Sequence, residues 1–338
     1  MSIYNYFSRY EKYSLEDLIK IDVNLPKYEG QNLLFFAIRY SKDKDFAERV
    51  IKAGIKLDYV DNNNLSIACH LAESSFLFEH CKLLYKHGAE LQNLNLNNFH
   101  NVTVLDYLMM NFVINNKHDE DELVKTQIFL LENQPDIIRY QEKVLHNLSL
   151  LMPQSLQYLI DKGIPVFDIT DILGNNILVQ LFHYSTFNKI YKDETRLSSL
   201  LSMMTPKQVN HTNNRQENIL WQIYEGNLDY VHLLKQYGLD MNHLNINGKG
   251  ILETKCKNSE ILTKFCIENG ATLRNSVMDN FIKLSKEEFM YKYKWDSEHY
   301  QLMTPFIKQK KALEEKELIG KTISIVTDEN NSLKRSRL

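Results

Sequence analysis

Paired apolar segments, one short and one longer, alternate with turn-forming polar residues along most of this chain. The clearest pair lies between Asn218 and Gly250. A short apolar run follows Asn218, a break falls at Glu225-Gly226-Asn227, a longer apolar run stops at Gly238, and an Asn-rich stretch closes on Gly248. Apolar runs of this length between turn signals predict short helices in pairs. Other segments stop in the same way at Gly54, Gly88, Gly163 and Gly270. A residue just past a helix end commonly needs a positive φ, which glycine adopts without steric penalty, so these glycines read as helix stops. After each comes Ile55, Ala89, Ile164, Leu239 or Ala271, all small or aliphatic. From Gly54 to Gly88 is 34 residues and from Gly238 to Gly270 is 32, while Gly163 stands 75 from the stops on either side of it. One period of about 33 residues, doubled twice with small insertions, accounts for these spacings.

Two further landmarks keep the same register. Four-residue boxes recur at the start of the shorter segments: Asn32-Leu33-Leu34-Phe35, Ser66-Ile67-Ala68-Cys69, Thr103-Val104-Leu105-Asp106, Lys143-Val144-Leu145-His146, Asn176-Ile177-Leu178-Val179, Asn218-Ile219-Leu220-Trp221 and Gly250-Ile251-Leu252-Glu253. A helix-capping residue type stands first in five of the seven. Ahead of the boxes, Asp171-Ile172-Leu173-Gly174 forms a turn signal, with variants ending at Gly30, Asn64, Gln216 and Gly248. Asn recurs in them because it tolerates left-handed backbone geometry better than most side-chain-bearing residues.

Taken together, the stops, boxes and turns between Ser14 and Leu273 resemble ankyrin repeats, whose first helix opens on a Thr-Pro-Leu-His-like box and whose turn reads Asp-x-x-Gly. The proline is absent from every box here, and an aliphatic residue stands in its place. What the resemblance implies is an all-α, single curved ankyrin-repeat solenoid of about seven repeats, with short β-hairpin-like fingers and helical caps. Residues 1–29 would form an N-terminal capping repeat, 30–274 the repeats, 275–320 a C-terminal helical cap and 321–338 a polar tail. Ser14-Leu-Glu-Asp17 and Ser285-Lys-Glu-Glu288 suit capped helix starts, and a last helix is expected within Pro305 to Lys316. Extra residues between Asn95 and Thr103, a polar insertion from Asn115 to Glu122 and an extension from Asn188 to Arg196 are expected in loops.

Composition narrows the function classes. Hydrophobic residues at 43% and charged ones at 25% exclude wholesale disorder. A formal net charge of -3, with both signs interspersed, argues against nucleic acid or acidic membranes as partners. The richest apolar stretch, Val102 to Ile114, is interrupted by Thr103, Asp106 and Asn111 and falls short of a membrane span. The first residues lack the apolar run of a secretory signal. Cys69, Cys81, Cys256 and Cys266 form no C-x-x-C pair, so they read as single thiols on apolar faces in a reducing, cytoplasmic setting.

No metalloprotease, nucleophile-elbow, Walker or dinucleotide-binding motif is present, so no catalytic residue, metal ligand or cofactor is assigned and the chain is not expected to be an enzyme. Gly248-Lys-Gly250 is accounted for by a repeat turn. In Cys69-His70, adjacent helical side chains diverge by about 100°, which predicts a buried thiol beside an exposed imidazole rather than a reactive pair. His80 and His87, like His100 and His118, lack metal-site spacing and are expected at surfaces or turns. Asp119-Glu-Asp-Glu122 is expected in a solvated loop. Lys308-Gln-Lys-Lys311 and Lys334-Arg-Ser-Arg337 lack interleaved aromatics and carry no nucleic-acid reading.

By the resemblance, contacts come from finger tips and from outward first-helix positions. Transferred residue by residue, these are Phe36, Tyr40, Asp58, Tyr59, His70, Asn93, Tyr107, Phe167, Asp168, His211, Gln222 and His243, with Leu244 a further departure from the family pattern. The implied activity is recognition of a folded protein, a toxin or enzyme among the candidates, by a chain that is monomeric beforehand. A specific inhibitor or immunity protein ranks ahead of a secreted effector or general scaffold, and an enzyme with a cryptic site comes last.

Overall fold

The computed structural model describes residues 8–25, 30–62, 65–89, 91, 105, 108, 119–133, 144–183, 193–293, 295, 297–312 and 315–316. The chain divides into two compact units, Met1–Asn213 and Asn214–Leu338. Among the described residues the structure is helical, with one isolated antiparallel bridge between Val60 and Ser66.

In the first unit the α-helices are α1 (Leu15–Ile19), α2 (Leu33–Tyr40), α3 (Lys44–Lys52), α4 (Ile67–His70), α5 (Leu77–Lys86), α6 (Glu120–Asn133), α7 (Val144–Ser149), α8 (Pro153–Asp161), α9 (Ile177–His183), α10 (Glu194–Ser202) and α11 (Pro206–Val209). They form two layers. α2 packs on α4 and α7 on α9 in one layer, while α3, α5, α6, α8 and α10 follow one another in the second. Leu105 and Leu108, three residues apart, are both helical and wholly buried. Each helix pair hides its apolar face against the pair before and after it, which is why neither layer is stable without its neighbours.

Left-handed glycines end the second-layer helices, as the spacing predicts. Gly54, Gly88 and Gly163 have φ of +91°, +84° and +80°. Just beyond, the N–H groups of Ala89 and Ile164 reach back to the carbonyls of Leu84 and Leu159, each at 3.0 Å. This is the Schellman arrangement, which satisfies carbonyls that the helix leaves open and turns the next residue inward. Ile55 and Ala89 are buried accordingly. At the opposite helix ends, Asn32 accepts from the Leu34 N–H and Asn176 from the Val179 N–H, both at 3.1 Å. Ser14 and Asp17 form the expected capping box ahead of α1.

The second unit repeats the pattern with shorter pieces. Single 3-10 turns at Ile219–Gln222 and Ile251–Glu253 take the place of the first helices. α12 (Val231–Gln236) and α13 (Glu260–Glu268) supply the second ones, stopped by Gly238 and Gly270 at φ +91° and +94°. Beyond them lie α14 (Asn275–Lys283), α15 (Lys286–Tyr293) and a helix over 297–312. Phe281, Phe289, Trp295 and Tyr300 interlock there, with Phe281 stacked on Tyr300 at 4.7 Å between ring centroids. Ser285 caps α15, donating its N–H to the Glu288 carboxylate and accepting the Glu288 N–H in return.

Four local expectations are corrected. The break in the Asn218 repeat falls at Ile223–Tyr224, because Gly226 sits inside a 3-10 turn, Glu225–Tyr230, that runs into α12. Glu120 to Glu122 are not in a loop but form the first turn of α6, where their negative charge suits the helix N-terminus. Glu194 to Arg196 belong to α10, capped by Asp193, so the extension in that repeat ends earlier than its sequence suggests. Arg196 then reaches Glu120 at 2.7 Å and ties α10 to α6. Pro305 lies within the last helix instead of starting it.

Candidate functional site

The turns between helix pairs project as fingers, and the chemistry of their backbone explains their rigidity. In Asp171–Gly174 one Asp171 carboxylate oxygen accepts the N–H groups of Leu173 and Asn175, both at 2.8 Å, while the other accepts the Asn175 amide at 3.0 Å. Gly174, at φ +79°, closes the turn by donating to the Asp171 carbonyl. The same left-handed fourth position is held by Gly30 at +74°, Gly248 at +63° and Gln216 at +53°. Gln216 is the non-glycine residue with positive φ among the described residues.

Neighbouring fingers are bonded to each other by two recurring devices. His211 Nε2 donates to the Gly174 carbonyl at 2.8 Å in the first unit, and His243 Nε2 to the Gln216 carbonyl at 2.9 Å in the second. Asn24 donates its amide to the Gly54 carbonyl and accepts the Lys56 N–H. Asn242 does the same with Gly270 and Thr272. Histidine and asparagine at these places are therefore finger clamps, with ring or amide already engaged within the chain. His243 also meets Trp221 edge-on at 6.1 Å.

Burial divides the other sequence-derived contact residues. Phe36 is 1% exposed and packs against Tyr40 and Phe46, so its ring belongs to the core and not to the outward face expected for it. Phe167 is likewise buried, in the 3-10 turn Val166–Asp168. His70 reverses its expectation. Its imidazole is buried, donates to the buried Asp61 carboxylate at 3.2 Å and lies edge-on to Phe35 at 4.8 Å. Its neighbour Cys69 is buried as expected, and burial pushes that thiol up to about 11.

Asp58 and Asp168 are exposed, and Tyr40, Tyr59, His211, Gln222 and His243 are half-buried. Asp168 accepts from the Gln208 amide at 3.1 Å. Asn93 and Tyr107 lie outside the described residues, as do His100 and His118. Among the described residues no group of three or more His, Cys, Asp or Glu side chains is placed to hold a metal ion. No helix among them is long and apolar enough to cross a membrane.

Sequence reasoning missed the most exposed apolar side chains of the fingers. Ile172 is 94% and Leu173 61% exposed at the tip of Asp171–Gly174, and Ile246 is 59% exposed at the matching place in the second unit. The signal was available: the two middle residues of a four-residue turn point to solvent, and aliphatic residues there have no core to enter. Leu244, already marked by the sequence, is 41% exposed.

His80 is a second correction among the histidines. It is buried, with Nδ1 2.7 Å from the Ser74 hydroxyl oxygen, and burial lowers its pKa from 6.5 to about 4. The folded imidazole thus stays neutral where the unfolded one is charged. Its contribution to stability is complete above pH 6.5, falls as the pH drops and is lost as the pH passes through about 4. Urea unfolding at pH 7.5 and 4.5 is expected to show a loss of about 3 kcal/mol from this group. His80→Gln should remove this share and leave a similar share from buried His70, whose pKa burial also lowers to about 4, and an unchanged slope in the variant would refute the assignment.

No protein-family profile matches the sequence, and no curated protein matches it. Among solved structures the chain is similar to the human ASB11 ankyrin repeat domain, at 13% sequence identity over 79% of this chain and 98% of that one, with a TM-score of 0.36. Paired helices in two layers, left-handed glycine stops at intervals that are close to one or two periods of about 33 residues, and turns bonded as at Asp171–Gly174 resemble the ankyrin-repeat arrangement.

Proposed function

We propose that the chain acts by binding a folded protein and not by catalysis, as a specific inhibitor or immunity protein that neutralises a toxin or enzyme. The observation that carries this reading is the bonding of one finger to the next. Side chains set on such a framework lose little freedom when a partner covers them, so contact area converts into affinity with a small entropic cost. A standard interface of roughly 1,600 Å² in total is within reach of several adjacent fingers.

Affinity capture with the full chain, followed by light scattering on the purified complex, tests the reading. One partner at unit stoichiometry, whose own activity falls on binding, is the expected result. Several unrelated partners, or one whose activity is untouched, would replace the inhibitor with a scaffold. His243→Ala is a poor probe of contact because it also removes a finger clamp. Asp58→Ala is a cleaner one, since Asp58 is exposed.

A further inference from the structure

The finger tip Ile172–Leu173 combines a rigid backbone with an exposed apolar apex. Its turn is fixed by the Asp171 carboxylate, by the Gly174 bond back to Asp171 and by His211 on the Gly174 carbonyl. Ile172 at 94% and Leu173 at 61% exposure cannot turn inward without breaking those bonds. The corresponding first tip position is Asn in two other fingers, Asn62 and Asn214, so an aliphatic pair is not demanded by the turn itself. Such a convex apolar apex is covered well only by a concave apolar surface, since a flat partner would leave most of both side chains in water.

Charge specifies the rim of that surface. From Pro165 to Asn176 the sequence carries two carboxylates, Asp168 and Asp171, and no lysine or arginine. The Asp171 oxygens are committed to the turn, whereas Asp168 is exposed, with one oxygen accepting from the Gln208 amide at 3.1 Å. An anionic lipid surface or nucleic acid would be repelled at this finger, and a cationic rim would be attracted.

Building on the protein-recognition reading above, we infer that Ile172 and Leu173 insert into an apolar socket of a folded protein partner, rimmed by lysine or arginine side chains that face Asp168. The paired aliphatic tip is the anchor of the interface and Asp168 steers and orients it.

The test uses the full chain with a photoreactive benzoylphenylalanine at position 172, irradiated in a lysate of the cells that encode it, and mass-spectrometric location of the cross-linked partner residue. The identified partner is then purified and titrated. A cross-link inside an apolar concavity bordered by basic residues is expected. Binding should weaken about 30-fold or more for Ile172→Asn with Leu173→Asn, and severalfold for Asp168→Lys, at unchanged thermal stability. Binding by the double variant within twofold of the parent chain would overturn the socket while leaving protein recognition standing. So would a cross-link to a flat or acidic surface, or tip-dependent co-sedimentation with phosphatidylglycerol vesicles. Absence of any partner for the parent chain would overturn both.

Discussion

Alanine at position 36 is expected to lower the unfolding free energy of the unit Met1–Asn213 by about 4 kcal/mol. Phe36 is 1% exposed, with ring centroids 5.8 Å from Tyr40 and 6.4 Å from Phe46, so truncation removes a whole aromatic side chain from a closed core. The surrounding helices α2 and α3 are too short to shift as rigid rods without losing their own caps, and the cavity would stay partly open. Urea titration followed by circular dichroism measures the change. Tyr40→Ala, at a half-buried neighbour, provides the comparison and should cost clearly less. A loss below about 1 kcal/mol for Phe36→Ala would mean that the ring is not part of the core.

The second large effect is steric and concerns the backbone. Gly30 holds φ at +74°, and a Cβ built on it would stand 2.2 Å from the Asn62 side-chain oxygen and 2.7 Å from the Asn62 backbone nitrogen. Rotating the Asn62 side chain relieves the first clash but not the second. Gly30→Ala should therefore cost about 3 kcal/mol, combining the left-handed penalty with displacement of a neighbouring finger. Gly54 supplies the control. Its φ is +91°, yet nothing lies within 4 Å of a Cβ there, so Gly54→Ala carries the backbone penalty alone, about 1 kcal/mol. Thermal unfolding of the two variants side by side separates the contributions. Equal losses would show that the finger at Gly30 moves aside freely.

How far the sequence could be read depended on whether a signal was local. The glycine stops were legible because a left-handed residue just past a helix end is a one-residue requirement, and Gly54, Gly88, Gly163, Gly238 and Gly270 all meet it. Capping by Asn32, Asn176 and Asn218 was legible for the same reason. Inward and outward positions on the first-layer helices were not. In α2 the residues from Leu33 to Ile38 are all buried, because α3 and α4 cover it from different sides, and a helix covered that widely has no exposed stripe to find. The unbroken run Leu-Leu-Phe-Phe-Ala-Ile already implied as much and outweighs a position transferred from a repeat pattern.

His70 failed for a different reason. Its burial depends on Asp61, nine residues earlier in the preceding finger, and no local pattern announces that a carboxylate will meet an imidazole there. The tip at Ile172 is the opposite case. Asp171 and Gly174 announce the turn locally, while the exposure of the two side chains between them follows from the turn geometry and not from any apolar periodicity.

The asparagine clamp also sets a timetable. Asn24 is made 30 residues before Gly54 and 32 before Lys56, the groups that satisfy it. At ordinary rates of translation its partners emerge about 2–6 s later, and until then the amide has only water to bind. His211 has no such wait, since the Gly174 carbonyl it needs has already been synthesised. A growing chain thus carries, at its newest finger, forward-reaching groups still open and backward-reaching ones already closed. A ribosome that stalls midway leaves an end primed to accept the next repeat and exposed to proteases until that repeat arrives.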